Sequence, residues 1–165
     1  MREFGGRKQG RPKEINASDV IDKAFSILRQ EANDRGVELV REGDPVAVKV
    51  DEGELLTVLI NLIQNAIYWT STQRKGAERK VIAAARLNDD SSLSLVVSDS
   101  GPGVAEGIRA HIFDPYFSSK PEGVGLGLSI VGNIVEDIYE GQLILVDEGP
   151  LDGATFEATF RRRVQ

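Results

Sequence analysis

The chain has 165 residues, of which 41% are hydrophobic and 28% charged, a composition that suits one globular domain with its own core. Acidic residues outnumber basic ones by 26 to 20, and the net charge of -6 argues against general nucleic-acid binding. The absence of cysteine excludes disulfides and thiolate–metal sites. The longest apolar run, Leu55–Trp69, is too short and too polar to span a bilayer, and Met1–Lys13 has no apolar signal core. We therefore expect a cytoplasmic domain that contacts neither nucleic acid nor a membrane.

The first quarter of the chain predicts a tail, a strand and a helix. Met1–Lys13 is basic and glycine-rich, so we expect a mobile linker or the remnant of a truncation, with the folded domain over residues 14–165. Ile15–Asn16 predicts a short strand. Ser18 is a suitable N-cap for a helix over Asp19–Arg35, and Gly36 suits its C-terminal end. Two further strands are predicted on either side of a turn at residues 42–45: Val37–Arg41 and Val46–Val50.

The next element is an amphipathic helix over Glu52–Ser71 that carries two amides among apolar residues. Asn61 and Asn65 lie one turn apart on nearly the same face, and Tyr68 follows three residues later. Amides disfavour helices and are costly to bury without partners. The pair indicates oxygen ligands directed at a hard cation or a phosphate, and a purely structural pair explains it equally well.

A strand that ends in a carboxylate and a glycine-rich turn follows. Lys80–Leu87 and Ser92–Ser98 predict an antiparallel hairpin, and the period of two places Asp99 on the apolar face of its second strand. Gly101 and Gly103 permit a sharp turn that leaves bare backbone beside the carboxylate. An inward acid beside bare backbone suits a nucleobase with an exocyclic amine. Taken alone, the stretch also fits an ordinary turn with Asp99 bonded to backbone N–H groups.

The last part of the chain contains a second glycine-rich segment, Gly123–Ser129, which leads into a helix predicted over Leu126–Glu140. Glycines at a helix N-terminus present free N–H groups to an anion, although GVGLG alone also fits a plain loop. The flanking elements are, in order, a short helical piece (Ala105–His111), an aromatic cluster (Ile112–Phe117), a polar segment expected to be mobile (Ser118–Val124) and two strands (Gln142–Val146 and Thr155–Arg161).

Four segments in this order resemble the ATP-binding domain of sensor histidine kinases, in the superfamily that includes DNA gyrase B and MutL. LINLIQNAIYWT resembles the N-box of that family, and VVSDSGPGV resembles its first glycine box. IFDPYFSSK resembles its F-box, and GVGLGLSI its second glycine box. The resemblance covers residues 15–161.

The resemblance implies an α/β (α+β) fold of the Bergerat type. Helices would cover one face of a mixed, mostly antiparallel sheet in a two-layer sandwich, with ATP between the helices under a flexible lid. Asp99 would accept a hydrogen bond from the adenine amine, and Gly103 would leave room for the base. Asn65 would be the principal Mg²⁺ ligand, with Asn61 near the metal or the phosphates.

The remaining site residues follow from the same resemblance. Gly125 and Gly127 would offer N–H groups to the phosphates, and Lys120 in the lid would add charge. Thr155 matches a threonine that lines the adenine pocket in relatives, although it lies on the strand parity opposite Phe156. The other implied contacts with the nucleotide are Tyr68, Gly101, Val104, Gly123, Leu126 and Leu128.

The sequence departs from the family pattern at three positions. Tyr68 stands where relatives often carry a lysine, and Val124 stands where threonine is usual, so a charge and a hydroxyl near the phosphates are missing. Asn61 occupies the position of the glutamate base in ATP-hydrolysing relatives. An amide cannot take a proton from water, so we expect the domain alone to hydrolyse ATP slowly.

The resemblance implies that the phosphoacceptor lies outside this chain. Histidine kinases phosphorylate a histidine on a separate dimerisation domain and then pass the phosphate to a response-regulator receiver domain. His111, the single histidine, falls at the F-box match and is not expected to be the acceptor. The full-length protein could be membrane-anchored. Two alternatives share the nucleotide site: an anti-sigma-type protein serine kinase, and a regulatory module that binds ATP without transferring phosphate.

Overall fold

A computed structural model of the chain describes residues 11–74, 76–109, 111–113 and 126–161, without the side chains of residues 126 and 127. The strands are β1 (Lys13–Asn16), β2 (Glu38–Glu42), β3 (Ala47–Val50), β4 (Lys80–Leu87), β5 (Leu93–Asp99), β6 (Gln142–Val146) and β7 (Thr155–Phe160). The helices are α1 (Ala17–Asp34), α2 (Glu52–Thr70), α3 (Glu106–Arg109) and α4 (Leu126–Gly132), and α4 continues as a π-helical segment over Asn133–Ile138.

Five of the strands form one mixed sheet in the order β2-β4-β5-β7-β6. Only the pair β2 and β4 is parallel in this sheet; the other neighbours are antiparallel. Strands β1 and β3 form a separate antiparallel pair. Helices α1, α2 and α4 pack against the five-stranded sheet. The prediction of a two-layer fold with a mostly antiparallel sheet is therefore confirmed.

The central strand β5 shows how the alternation of side chains builds the core. Leu93, Leu95 and Val97 are buried and share the face on which α2 packs. Their cross-strand partners on β7 are also buried and apolar: Phe160, Ala158 and Phe156. Because Asp99 has the same parity as Val97, the fold carries its carboxylate to the edge of this apolar layer.

The start of α1 differs from the sequence prediction. The N-cap is Asn16, whose side-chain oxygen accepts hydrogen bonds from the backbone N–H groups of Ser18 at 2.9 Å and Val46 at 3.2 Å. Ser18 lies inside the first turn, and its hydroxyl donates to the carbonyl of Asp44 at 3.2 Å. The assignment of Ser18 as N-cap was wrong, because β1 runs directly into α1 and leaves Asn16 as the last extended residue.

The other predicted helices and strands that fall on described residues are present, with two differences in arrangement. The predicted mobile polar segment (residues 118–124) and most of the predicted N-terminal tail and aromatic cluster lie outside the described residues. The predicted strands around residues 42–45 exist as β2 and β3, but they belong to different sheets. Gly36 follows α1 with a φ of +67°, as expected of a C-terminal glycine. The predicted hairpin is formed by β4 and β5. The helix predicted over Leu126–Glu140 begins as predicted, but its second half is π-helical.

We expect Asn16→Ala to lower the free energy of unfolding by about 1 kcal/mol or more, because two backbone N–H groups lose their acceptor. Ser18→Ala should cost about half as much or less, since it removes one hydroxyl donor while the capping bond stays. Urea denaturation of the two variants measures the difference. Equal losses would contradict the assignment of the cap.

Candidate functional site

Asp99 is the one buried carboxylate among the residues that the structure describes, with 2% of its surface exposed at the end of β5. Its Oδ1 accepts hydrogen bonds from the backbone N–H of Gly101 at 2.8 Å and of Ala154 at 3.3 Å. No described residue donates to Oδ2. The carboxylate is therefore half satisfied by the protein, and one oxygen remains available to an outside donor.

Burial raises the pKa of Asp99 from 3.8 to about 6, while the N–H groups of Gly101 and Ala154 act in the opposite direction. Desolvation disfavours the charged form of a carboxyl group, and two neutral donors offset only part of that cost. No described Lys, Arg or His side chain bonds to Asp99. A ligand that brings a further N–H donor would offset the remaining desolvation cost of the ionised Asp99 carboxylate.

The turn after Asp99 is attached to two other elements. Ser100 exchanges hydrogen bonds with Lys80 at the start of β4: the Lys80 N–H donates to its hydroxyl at 2.8 Å, and its own N–H donates to the Lys80 carbonyl at 3.1 Å. The Gln73 side chain, just beyond α2, donates to the Ser100 carbonyl at 2.8 Å. The carboxylate therefore has a fixed position relative to α2.

Glycine is required in this turn for two different reasons. A Cβ at Gly101 would lie 2.9 Å from Oδ1 of Asp99, which is closer than real contacts allow, and 3.0 Å from the carbonyl of Trp69 on α2, which is tighter than most real contacts. Gly103 has a φ of +80° and open space where its Cβ would be, so it is required by its backbone conformation. Val104, which follows, is half-buried and packs against the core.

Gly153 and Ala154 also contribute to this site, although neither was among the predicted site residues. Gly153 donates its N–H to the backbone carbonyl of Asp99 at 2.9 Å, and a Cβ at Gly153 would collide with Asp99 and lie 2.6 Å from the nitrogen of Gly101. Ala154 donates to the carboxylate itself. The only signal in the sequence was a glycine two residues before the last strand, in the connection between the last two predicted strands.

Thr155 lies away from this carboxylate. It pairs with Ser98 across the sheet, and the two hydroxyls are 2.8 Å apart. Residues directly opposite each other on neighbouring strands share a face, so Thr155 is on the face opposite the Asp99 side chain. The structure does not bring Thr155 together with Asp99, in keeping with the parity noted in the sequence.

Asn61 and Asn65 are half-buried on the same stripe of α2. The Asn61 amide donates to the carbonyl of Thr57 one turn earlier at 2.8 Å, which leaves its Oδ1 without a described donor. The Asn65 side chain makes no hydrogen bond with a described residue. Both amides can therefore offer an oxygen to a ligand, and neither holds the helices together.

Tyr68 continues the same stripe and contacts the end of α1. The Arg35 guanidinium lies 5.8 Å from the centre of the Tyr68 ring, and Trp69 packs edge-on against it at 5.0 Å. Arg35 also donates to the Ser71 hydroxyl at 2.9 Å. A cation thus lies beside the position where relatives often carry a lysine.

Several predicted site residues lie outside the described part of the chain: Lys120, Gly123 and Gly125, together with Val124. Leu126 and Gly127 form the first turn of α4, where only the backbone is described, and Leu128 is half-buried against the core. Helix α4 packs against α2. The described end of the second glycine-rich segment, residues 126–129, thus belongs to a helix that packs against the helix with the two asparagines. His111 is exposed on a turn after α3.

The profile of one protein family matches residues 50–164: histidine kinase-, DNA gyrase B-, and HSP90-like ATPases. The chain belongs to this family of ATPases. The resemblance inferred from the four segments of the sequence is confirmed, and membership of an ATPase family implies that the chain binds ATP. Among the described residues, no group of three His, Cys, Asp or Glu side chains is placed to hold a metal ion.

Relatives of this chain include a sensor histidine kinase and a sporulation kinase. The chain is 35% identical over 145 residues to the sensor histidine kinase ZraS of Klebsiella oxytoca, covering 86% of this chain and 30% of that protein. It is 30% identical over 152 residues to sporulation kinase A of Bacillus subtilis (strain 168), covering 90% of this chain and 24% of that protein. The chain thus spans less than a third of the length of these two relatives.

Solved histidine kinase structures have the same fold. The catalytic domain of histidine kinase ThkA superposes with a TM-score of 0.77 at 26% identity, covering 92% of this chain and 95% of that one. A mycobacterial sensor histidine kinase, MprB, gives a TM-score of 0.74 at 25% identity, covering 93% and 99% of the two chains. The prediction of a histidine kinase catalytic domain is confirmed. No helix in the described part of this chain has the length and apolarity needed to cross a membrane.

The raised pKa of Asp99 predicts a specific dependence of stability on pH. The folded protein binds this proton more tightly than the unfolded chain, so the free energy of unfolding should fall as the pH rises from about 4 to about 6. The fall attributable to Asp99 should be roughly 2 kcal/mol, and Asp99→Asn should lack it. Urea denaturation at several pH values measures both proteins. Parallel pH profiles would contradict an uncompensated buried carboxylate.

Proposed function

We propose that this chain binds Mg²⁺-ATP and donates the γ-phosphate to a histidine on a separate dimerisation domain, as the catalytic domain of a two-component sensor histidine kinase. The observation that carries the proposal is the buried carboxylate of Asp99, with one oxygen free of described donors, in an ATPase domain similar to histidine kinases. The whole protein would act in the cytoplasm, or at a membrane through segments outside this chain.

Asp99 would recognise the base. Its Oδ2 would accept a hydrogen bond from the exocyclic amine of adenine, which adds the donor that the protein does not supply. Gly101 is kept without a side chain by its contact with α2, so the backbone beside the carboxylate stays bare for a flat ring. The base would lie at the end of β5, with α2 and α4 on the same side of the sheet.

Asn65 would hold the metal, with Asn61 near the metal or the phosphates. An amide oxygen suits Mg²⁺, an ion that prefers oxygen ligands, keeps several waters and is bound by few protein groups together with phosphates. The absence of described hydrogen bonds from Asn65 fits a ligand role. When bound, Mg²⁺ would neutralise charge on the phosphates. Tyr68 supplies no charge there, and Arg35 is the described cation nearest its ring.

The transfer itself would need little chemistry from this chain. A histidine nitrogen of the partner domain would form the new bond to the γ-phosphorus, while the bond from that phosphorus to the β–γ bridging oxygen breaks and ADP leaves. The protein would position the reactants and stabilise the phosphate charge. Asn61 cannot act as a general base toward water, so transfer would be favoured over hydrolysis.

The proposed partners are the domain that carries the acceptor histidine and a response-regulator receiver domain. Histidine kinase ThkA has been solved in complex with the response regulator protein TrrA, in a structure of which the present chain covers 41%. His111 would not be the acceptor. We extend the two-domain arrangement to this chain by analogy with such relatives.

We expect Asp99→Asn to abolish ATP binding and phosphoryl transfer, because a charge-assisted acceptor is replaced by an amide whose N–H₂ group can face the adenine amine. Isothermal calorimetry measures binding. Labelled ATP, added with a histidine-bearing dimerisation domain, measures transfer. The matched control is Asp90→Asn, because Asp90 is an exposed carboxylate in the β4–β5 turn.

Each outcome of that experiment has a defined meaning. Acid-labile label on the acceptor supports a histidine kinase, whereas acid-stable label on a partner protein indicates the serine-kinase alternative. Tight ATP binding without transfer to any acceptor indicates a regulatory module. Unchanged ATP affinity in Asp99→Asn would reject the adenine site.

Asn65→Ala should weaken ATP binding with Mg²⁺ about tenfold or more and change metal-free binding little, because it removes an oxygen ligand of the ion. Gln64→Ala is the matched control, since Gln64 lies next to it on α2 but donates to Glu31 on α1 at 3.2 Å. Calorimetry in Mg²⁺ and in EDTA measures ATP binding with and without the metal. Equal losses under both conditions would reject the ligand role.

A further inference from the structure

Tyr139 is a buried tyrosine at the end of the π-helical segment that follows α4, with 1% of its surface exposed. Its ring packs against Phe160 of β7 at a centroid distance of 4.9 Å. Its backbone is fixed as well: the N–H donates to the carbonyl of Ile134 at 3.2 Å, and the carbonyl accepts from Arg161 at 3.0 Å. The side chain is therefore held rigidly, and its hydroxyl has a fixed position.

The Tyr139 hydroxyl lies in the first turn of α2. It donates to Oε1 of Glu54 at 2.7 Å and accepts from the backbone N–H of Asp51 at 3.1 Å. Asp51 is the N-cap of α2, and its Oδ1 accepts from the Glu54 N–H at 2.8 Å. In a capping box the N3 carboxylate would reach the N-cap N–H directly. Here the tyrosine hydroxyl is inserted between the two groups and bonds to both.

This inserted hydroxyl connects two elements of the nucleotide site. Tyr139 ends the helix that begins in the second glycine-rich segment, whereas Glu54 begins the helix that carries the two asparagines. Glu54 and Asn61 are seven residues apart, so they lie on the same stripe of α2. Burial and the adjacent Glu54 carboxylate raise the pKa of Tyr139, which keeps the hydroxyl protonated as a donor.

We propose that Tyr139 is a positioning residue for ATP binding, which aligns the asparagine stripe of α2 with α4 through the capping groups of Asp51 and Glu54. This inference rests on the proposed function, since it assigns ATP to the same site. Tyr139 is the C-cap of the π-helical segment, so the link to α2 starts at the end of that segment. The residue touches neither the base nor the phosphates and acts through α2.

Tyr139→Phe tests the proposal, because it keeps the ring and removes only the hydroxyl. The dissociation constant of Mg²⁺-ATP should rise about fivefold, a typical size for coupling through residues that do not contact the ligand. Glu54→Ala removes the same link from the other side and should have a similar effect. The double variant should be no worse than either single one, because both remove one connection. Glu54→Gln, which keeps an acceptor for the hydroxyl, should bind nearly as the parent chain does.

Asn16→Ala serves as the control for a loss of stability alone, because it removes the cap of α1, which carries none of the proposed site residues. Its ATP affinity should stay within about twofold of the parent chain. Calorimetry at a temperature where circular dichroism shows every variant folded gives the comparison. Parent-like affinity in Tyr139→Phe, or additive losses in the double variant, would overturn this proposal alone. Failure of the parent chain to bind ATP would overturn the proposed function with it.

Discussion

The structure depends on a carboxylate that is buried before any ligand arrives. Asp99 lies at the end of the central strand, where its ionised form loses hydration and gains only two backbone donors. One donor comes from the turn two residues later, and the other comes from Ala154, 55 residues away in the chain. The carboxylate therefore fixes the first glycine-rich turn and the start of the last strand in one place.

This constraint explains why glycine and small residues surround the site. Gly101 lies between the Asp99 carboxylate and the last turn of α2, and Gly153 lies against the Asp99 backbone. A side chain at either position would push apart the segments that supply the N–H donors. The bare backbone that would admit a flat base thus follows from the hydrogen bonds that hold the Asp99 carboxylate. A substitution that adds a side chain there would also disturb those hydrogen bonds.

Local patterns in the sequence predicted the elements but not the contacts between distant segments. The period of two on β5 correctly placed Asp99 on the buried face, and the 3.6-residue spacing correctly gave α2. The cap of α1 was misassigned because the choice between Asn16 and Ser18 depends on where β1 ends, which its pairing with β3 decides. Ala154 was missed because its role is a backbone N–H, which no side-chain pattern reveals. The π-helical segment was missed because the sequence pattern predicted a helix there without distinguishing the π form from the α form.

In the proposed site, the half-satisfied carboxylate would also select among bases. Adenine presents an exocyclic amine, whereas guanine would present a carbonyl oxygen at the corresponding position, so that two acceptors would face each other at a buried carboxylate. A site built to bond one group rejects an analogue without it strongly, because its buried polar atom is then left unpaired. Burial makes the ionised Asp99 carboxylate unfavourable in the free protein. When a nucleotide binds, adenine would relieve this cost and guanine would not, so the site would prefer adenine. The carboxylate that lowers the stability of the free protein would therefore be the group that provides the selectivity.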